Sequence, residues 1–384
     1  MRVLHVITAL GTGGAESMLL KLLQSPALSR MQQQVLTLLP GGTLAGACRA
    51  TGARVDELDL LGGIPVLGGS ARLSGIARQA APDLVQGWLY HGNLGGLLAR
   101  AVQRRQVPLV WGVRQSLPGL QGENAWARAA IRANRWLSGQ PDCIVFNSRT
   151  SIDQHRAFGF VDTRMRLLPN GFDGERFRPD AAARARMRQE WGFNEAQVVF
   201  GTVARLHPVK GHAELLRAAR QVLDQRPQAR FVLAGPGTGA TEAGLSTQVN
   251  ELGLGPYLRL LGDRRDVPAV LNGLDVYASA SRAEAFSNSI GEALCCGLPC
   301  VATAVGESPG LVDQAGLVVP AMDPQAMASA MVALCDLDPG RRQQLGAAGR
   351  ARMLRDFGLD GVAARFGELW LELAAAPARS RATG

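Results

Sequence analysis

The sequence predicts an α/β protein built from two Rossmann-like, doubly wound parallel-sheet domains. Three observations carry that expectation. The chain has 384 residues, 47% hydrophobic and 19% charged, a globular composition long enough for two domains at roughly 100–200 residues each. Short continuous apolar runs alternate with helical stretches, as in a sheet buried on both faces. The alternation then restarts after residues 164–190, a segment rich in Arg, Pro and Asp.

In the first half, residues 3–8 read as a strand, followed by a glycine-rich turn and a helix over 16–24. Residues 34–39, 84–87, 107–113 and 143–147 read as further strands. In the second half, strands are expected at 198–204, 230–234, 258–261, 275–278, 301–303 and 316–319, with a helix opening at Lys210. Residues 359–375 read as a last helix carrying Trp370, and the small, basic residues after it predict disorder. The expected limits are thus 1–175 and 190–358 for the domains, 359–375 for the helix and 376–384 for the tail. Two such domains with a cleft between them would place ligands at the carboxyl ends of their strands.

Charge is unevenly spread. Residues 1–190 hold 23 basic against 13 acidic residues, whereas 191–384 hold 18 against 19. A basic first half suits an anionic phosphate, in nucleic acid or lipid head groups; a solvated Arg-rich surface accounts for it equally. Of the 41 basic residues only Lys21 and Lys210 are lysines. Helical packing accounts for Lys21, whereas Lys210 falls in a loop where a compact ammonium has a task. No apolar run of about 18 residues occurs, which argues against a membrane-spanning helix. The six cysteines (48, 143, 295, 296, 300, 335) show no paired metal-ligand spacing, and read as reduced structural thiols in a cytoplasm.

Three motifs carry chemistry. In residues 279–299, Glu284 falls on the loop after a strand, Ser287 or Asn288 caps a helix, and Glu292 sits about one turn inside it. A helix start with free N–H groups suits a pyrophosphate, and loop and helix carboxylates suit sugar and ribose hydroxyls. A capped helix with two solvated glutamates is the plainer alternative. Second, Arg205 and Lys210 flank a loop that opens a helix, where a guanidinium fork and a point charge can neutralise a diphosphate. Third, Gly11-Thr12-Gly13-Gly14-Ala15-Glu16 follows the first strand; Glu16 departs from the dinucleotide fingerprint, yet the loop still admits close approach of a phosphate or sugar.

Together these motifs, with Asn147-Ser148, Pro169-Asn170-Gly171-Phe172-Asp173 and Gly235-Pro236-Gly237 in the same order, resemble the retaining, nucleotide-sugar-dependent glycosyltransferases of family 4. The resemblance covers nearly the whole chain. It implies the GT-B fold, two Rossmann-like domains facing across a cleft, and leaves open a return of the C-terminal helix to the first domain. It assigns Arg205 and Lys210 to the donor diphosphate and Glu292 to the donor ribose. Glu284, with backbone groups of Phe286, Ser287, Asn288 and Ser289, would meet the donor sugar and its phosphate. Gly13 and Gly14 would close over the diphosphate, and His91 matches the family's histidine near the reacting sugar. Ala285 departs from a frequent glycine, which narrows backbone freedom beside the sugar.

The implied activity is transfer of a hexose from a nucleotide diphosphate sugar to a hydroxyl, with retention and with no cofactor or metal. Asp336-Leu337-Asp338 precedes Pro339 and reads as a helix cap rather than a metal site. The acceptor class follows from residues 126–137. There Arg128, Arg132 and Arg135 are expected on one helical face, and Trp126, Ala130, Ala133 and Leu137 on the other. Such a helix either rests on an anionic membrane surface or is simply packed with a solvated face. The membrane alternative makes the acceptor a lipid-linked saccharide, in bacterial envelope or exopolysaccharide synthesis, and the enzyme cytoplasmic and peripheral on the inner face. No nucleic-acid motif accompanies the basic half. An epimerase-like relative acting on nucleotide sugars, and a non-catalytic two-domain sugar-binding module, remain the alternatives.

Overall fold

A computed structural model describes residues 1–59, 66–121 and 123–376. The expected tail lies, from residue 377, outside the described residues. The chain divides into two compact units, Met1–Gly171 together with the chain from Leu359 on, and Phe172–Gly358.

The first unit holds a parallel sheet of β1 (Arg2–Ile7), β2 (Gln32–Thr37), β3 (Arg54–Glu57), β4 (Leu84–Trp88), β5 (Leu109–Val113), β6 (Cys143–Phe146) and β7 (Met165–Leu167). Their order is β3-β2-β1-β4-β5-β6-β7. Every residue of β4, β5 and β6 is buried, which explains why they read as continuous apolar runs. The edge strands β3 and β7 escaped the pattern. Both are largely unburied and carry Arg54, Asp56, Glu57 or Arg166 where an inner strand carries Val or Ile. Alternation splits β1 between two cores: Val3 and Ile7 on one face, Leu4 and Val6 on the other.

The Val3 face is covered by the Leu359–Ala375 helix, which buries Phe366 and Trp370 there. Trp370 Nε1 donates to Gln86 Oε1 at 3.2 Å, and Arg166 grips Glu372 with two bonds of 2.8 and 2.7 Å. The terminal helix thus belongs to the first unit. Lys21, which the sequence left to packing alone, donates to the carbonyl of Gly171 at 2.9 Å and so ties the first helix to that unit's last residue before the crossover.

The second unit holds β8 (Val198–Val203), β9 (Ala229–Ala234), β10 (Leu258–Leu260), β11 (Val276–Ser279), β12 (Cys300–Thr303) and β13 (Gly316–Val319), ordered β10-β9-β8-β11-β12-β13 and all parallel. The Ala181–Trp191 helix, inside the Arg-rich boundary segment, packs in this unit through Met187 and Trp191. Two of its arginines reach Asp275, Arg184 at 2.9 Å and the buried Arg188 at 2.5 Å.

One expected helix face is corrected. In the Ala125–Leu137 helix, Trp126 is 82% exposed, not packed with Ala130. The buried stripe is Ala130, Ile131 and Asn134. Asn134 turns inward because its amide donates to Tyr90 O at 2.9 Å and accepts from Asn93 Nδ2 at 3.1 Å. A polar residue therefore sits at the centre of the packed face and rotates it away from Trp126. Arg128, Arg132 and Arg135 are exposed, as expected.

Candidate functional site

In each sheet the chain order reverses at one point, between β1 and β4 in the first unit and between β8 and β11 in the second. Ligands of open α/β sheets bind beyond the carboxyl ends of the strands at such a point. The candidate residues fall there: Gly13 and Gly14 follow β1, His91 follows β4, Arg205 and Lys210 follow β8, and Glu284 to Glu292 follow β11.

In the second unit, β8 runs into a loop with Arg205 exposed, then a single helical turn over Pro208–Lys210. Gly211 follows at φ +66°, and a Cβ there would lie 1.9 Å from the Ala280 carbonyl oxygen, so only glycine lets the two loops meet. The loops are also bonded: Arg282 N donates to Val209 O at 2.7 Å, and Arg282 Nη2 to the buried Glu214 Oε1 at 2.6 Å. This docking brings Lys210 Nζ to Glu284 Oε1 at 2.5 Å, with side chains 22% and 12% exposed. Ser281 Oγ donates to the same carboxylate oxygen at 2.9 Å, and the Ser281 carbonyl is itself held by Thr303 Oγ1 at 2.6 Å. Ser281 and Thr303 escaped the sequence reading, since an isolated hydroxyl carries no spacing signal.

Beyond Glu284, Ala285 is buried and its carbonyl accepts from Glu307 N at 3.1 Å. The Phe286 ring belongs to the core, stacked on Phe172 at 6.0 Å and near Phe357 at 5.8 Å, so its backbone alone is available to a ligand. The Asn288–Cys295 helix starts at Ser287, which makes no side-chain capping bond; its hydroxyl lies 3.4 Å from that of Ser289. Glu292 is partly buried one turn further on. The structure thus brings Lys210 into contact with Glu284, while Arg205 stands exposed without such a contact to them.

In the first unit, Gly13 precedes the Gly14–Gln24 helix, and both glycines are exposed. Glu16 sits in the first turn, its carboxyl raised above the usual range, chiefly by burial. His91 lies in the first turn of the Leu89–Ala101 helix, its imidazole lowered by partial desolvation. Two backbone features aim it. Leu89 adopts φ +61°, a strained junction between β4 and the helix. A Cβ on Gly92 would meet Val6 O at 2.5 Å, so the glycine seats the helix against β1. The Asp336-Leu337-Asp338 segment is accounted for by structure. Asp338 caps the Pro339–Phe357 helix through Arg341 N at 2.9 Å, and Asp336 pairs with Arg226 at 2.5 Å. Among the described residues no cluster of three His, Cys, Asp or Glu side chains suits a metal ion.

Residues 13–171 match the family described as "Glycosyl transferase 4-like domain", and residues 197–336 match "Glycosyl transferases group 1". Over 232 residues the chain is 30% identical to a GDP-mannose-dependent monoacylated alpha-(1-6)-phosphatidylinositol monomannoside mannosyltransferase of Corynebacterium glutamicum, covering 57% of the chain and 59% of that protein. Over 216 residues it is 33% identical to a D-inositol 3-phosphate glycosyltransferase of Corynebacterium jeikeium, covering 53% and 51%. The chain therefore spans little more than half the length of these curated relatives. Its fold is shared with Anabaena Alr3699/HepE, solved in complex with UDP, at TM-score 0.85 and 23% identity over 97% of this chain and 100% of that one. With two parallel-sheet units of this topology, and family matches that together take in more than half of the sequence, the chain belongs to the group 1, family 4-type glycosyltransferases of GT-B fold.

Proposed function

We propose that the protein is a retaining, metal-independent hexosyltransferase. It moves a hexose from a nucleotide diphosphate sugar to a hydroxyl of a saccharide or lipid-linked saccharide, in bacterial envelope or exopolysaccharide synthesis. The observation that carries this reading is the Lys210–Glu284 contact at the switch point of the second sheet, beside the start of the Asn288–Cys295 helix. Departure of a nucleoside diphosphate leaves an oxocarbenium-like sugar and a growing negative charge on the leaving phosphate. Lys210, Arg205 and the N–H groups of Ser287, Asn288 and Ser289 supply fixed positive charge for that phosphate, which is electrostatic stabilisation without a metal. Glu284 and the Phe286 backbone face the donor sugar, and Glu292 holds the ribose. From the first unit, Gly13 and Gly14 serve the diphosphate and His91 the reacting sugar. Ser281 and Thr303 fix the Glu284 carboxylate.

The relatives' names support sugar donors and lipid-borne acceptors: one is GDP-mannose-dependent and acts on a phosphatidylinositol monomannoside. Among the described residues no helix is long and apolar enough to cross a membrane. A cytoplasmic enzyme peripheral to the inner face of a membrane accords with that and with the basic first half.

The test is a thermal-shift screen of UDP-, GDP- and ADP-sugars, followed by transfer to saccharide and lipid-linked acceptors and anomer analysis of the product by NMR. Stabilisation by one donor class and an α-linked product from an α-donor are expected, with unchanged rate in a chelator. No response to any nucleotide sugar would overturn the reading, and epimerised donor in the absence of acceptor would replace transfer by epimerisation.

A further inference from the structure

We propose that a cavity at the amino ends of β1, β2 and β3 binds a neutral saccharide of one or two rings, with the Gln33 amide as its fixed hydrogen-bond donor. The site goes beyond the donor and acceptor assignments above and does not depend on them.

The cavity measures about 520 Å³ and is walled by residues of the first unit. That size falls in the ~300–1,000 Å³ range of small-molecule sites. Arg2, Gln32 and Arg54, the first residues of the three strands, line it. The candidate residues Gly13, Gly14 and His91 follow β1 and β4 at the other end of the sheet, one strand length or about 20 Å away. A ligand seated here is therefore remote from the reacting groups.

A buried relay sets the Gln33 amide. Indole only donates, so the 3.2 Å bond from Trp88 Nε1 makes His5 Nδ1 an acceptor. Burial holds His5 neutral, pushed down to about 4, and its one proton is then on Nε2. Nε2–H donates to Gln33 Oε1 at 3.0 Å. With its oxygen so engaged, Gln33 keeps its amide nitrogen for the cavity it lines, and that nitrogen has no hydrogen-bond partner among the described residues. Two N–H donors are thus oriented before any ligand arrives, by a histidine that is fully buried.

The rest of the lining selects the ligand. Among the described residues no acidic and no aromatic side chain lines the cavity. Its two arginines are already paired, Arg2 with Asp83 at 3.8 Å and Arg54 with Asp56 at 2.9 Å. An anion therefore meets no unopposed cation there, and a nucleobase no ring to stack on. Gln32 and Ser29 add a second amide and a hydroxyl, and the half-buried Leu23 and Met31 add aliphatic surface. Groups that both donate and accept, set beside aliphatic patches, match the vicinal hydroxyls and C–H faces of a sugar ring.

The test is saturation-transfer NMR and calorimetry on the full chain, without nucleotide. The ligands are D-glucose, D-galactose, D-mannose and maltose, with sodium phosphate as the anion. Saturable millimolar binding of at least one sugar, and none of phosphate, is expected. Gln33→Met removes both N–H donors and should weaken that binding about 5-fold or more. It also leaves His5 Nε2 without an acceptor, so a second variant, Ser29→Trp, fills the cavity from an exposed position and spares the relay. Ser29→Trp should abolish sugar binding at an unchanged unfolding temperature, and His91→Ala should bind sugar as the wild type does. Absent binding of all four sugars, or wild-type affinity in Ser29→Trp, would overturn the proposal. So would loss of binding in His91→Ala, which would move the sugar to the carboxyl ends of the strands. Phosphate binding that Ser29→Trp removes would make the cavity an anion site and overturn it equally. Calorimetry with nucleotide sugars on the same samples reads the transferase proposal separately: absent nucleotide binding would sink that reading and leave the sugar result standing.

Discussion

The ammonium of Lys210 and the carboxylate of Glu284 occupy each other at 2.5 Å. Under the proposed reaction the donor diphosphate takes over the lysine, and Glu284 turns to the sugar with Ser281 still bonded to it. Removing the ammonium should therefore hurt twice. Lys210→Ala leaves the leaving phosphate less stabilised and Glu284 unpaired, and kcat/KM should fall ~100-fold or more. Full turnover in that variant, measured by initial rates with the preferred donor, would sink the diphosphate role. Glu284→Gln keeps the shape and removes the charge, so kcat should drop far more than donor affinity measured by calorimetry. Both residues were legible from motif and resemblance. Their contact was not, because it depends on two loops separated by more than 70 residues meeting over Gly211.

Element boundaries carry their own tests. Gly211 sits at φ +66° with the Ala280 carbonyl where a Cβ would be. Gly211→Ala should destabilise the second unit by more than ~1 kcal/mol in denaturant titration, through strain and displacement of the docked loops. Donor binding should weaken with it. Asp338→Ala offers the contrast: loss of the cap on the Pro339–Phe357 helix should cost ~1 kcal/mol while the transfer rate stays the same with or without chelator. A rate that collapsed in Asp338→Ala and recovered with added divalent cation would restore a metal role. Inner strands were readable because burial on both faces imposes apolar runs, whereas the long Pro339–Phe357 helix was not read as one. The edge strands β3 and β7 were not, because an edge tolerates the charges that break such a run. The Ala125–Leu137 helix was readable as a helix, but the inward turn of Asn134 changed which side it packs.

For the molecule as a whole, stability depends on buried histidines that stay neutral. His5 is fully buried in the first unit, accepting from Trp88 Nε1 at 3.2 Å and lying 3.0 Å from Gln33 Oε1. Burial pushes it down to about 4, and burial likewise pushes His155, bonded to Tyr90 and Ser151 O, to about 4. The unfolded chain then binds more protons than the folded one between roughly pH 6.5 and 4, so stability is full above that window and falls as pH drops through it. For His5 alone the loss should reach about 3 kcal/mol by the bottom of the window. Thermal unfolding followed against pH should show it, and His5→Gln should flatten the profile. A midpoint independent of pH over that range would count against both assignments.

The sequence by itself determined the fold class, the inner strands along the chain, and the strand-to-helix segments that carry Gly13, Gly14, His91, Arg205, Lys210, Glu284 and Glu292. Apolar periodicity and turn chemistry are local, and the strands' carboxyl ends follow from chain order. Only the tertiary structure decided which side chains touch. It joined Lys210 to Glu284, brought Ser281 and Thr303 behind that carboxylate and gave the terminal helix to the first unit. It also set Lys21 against Gly171 and left Trp126 and Trp136 outside. Each of these turns on close approach between segments distant in the chain, where one glycine without a Cβ or one inward amide selects the partner, and no local pattern records that choice.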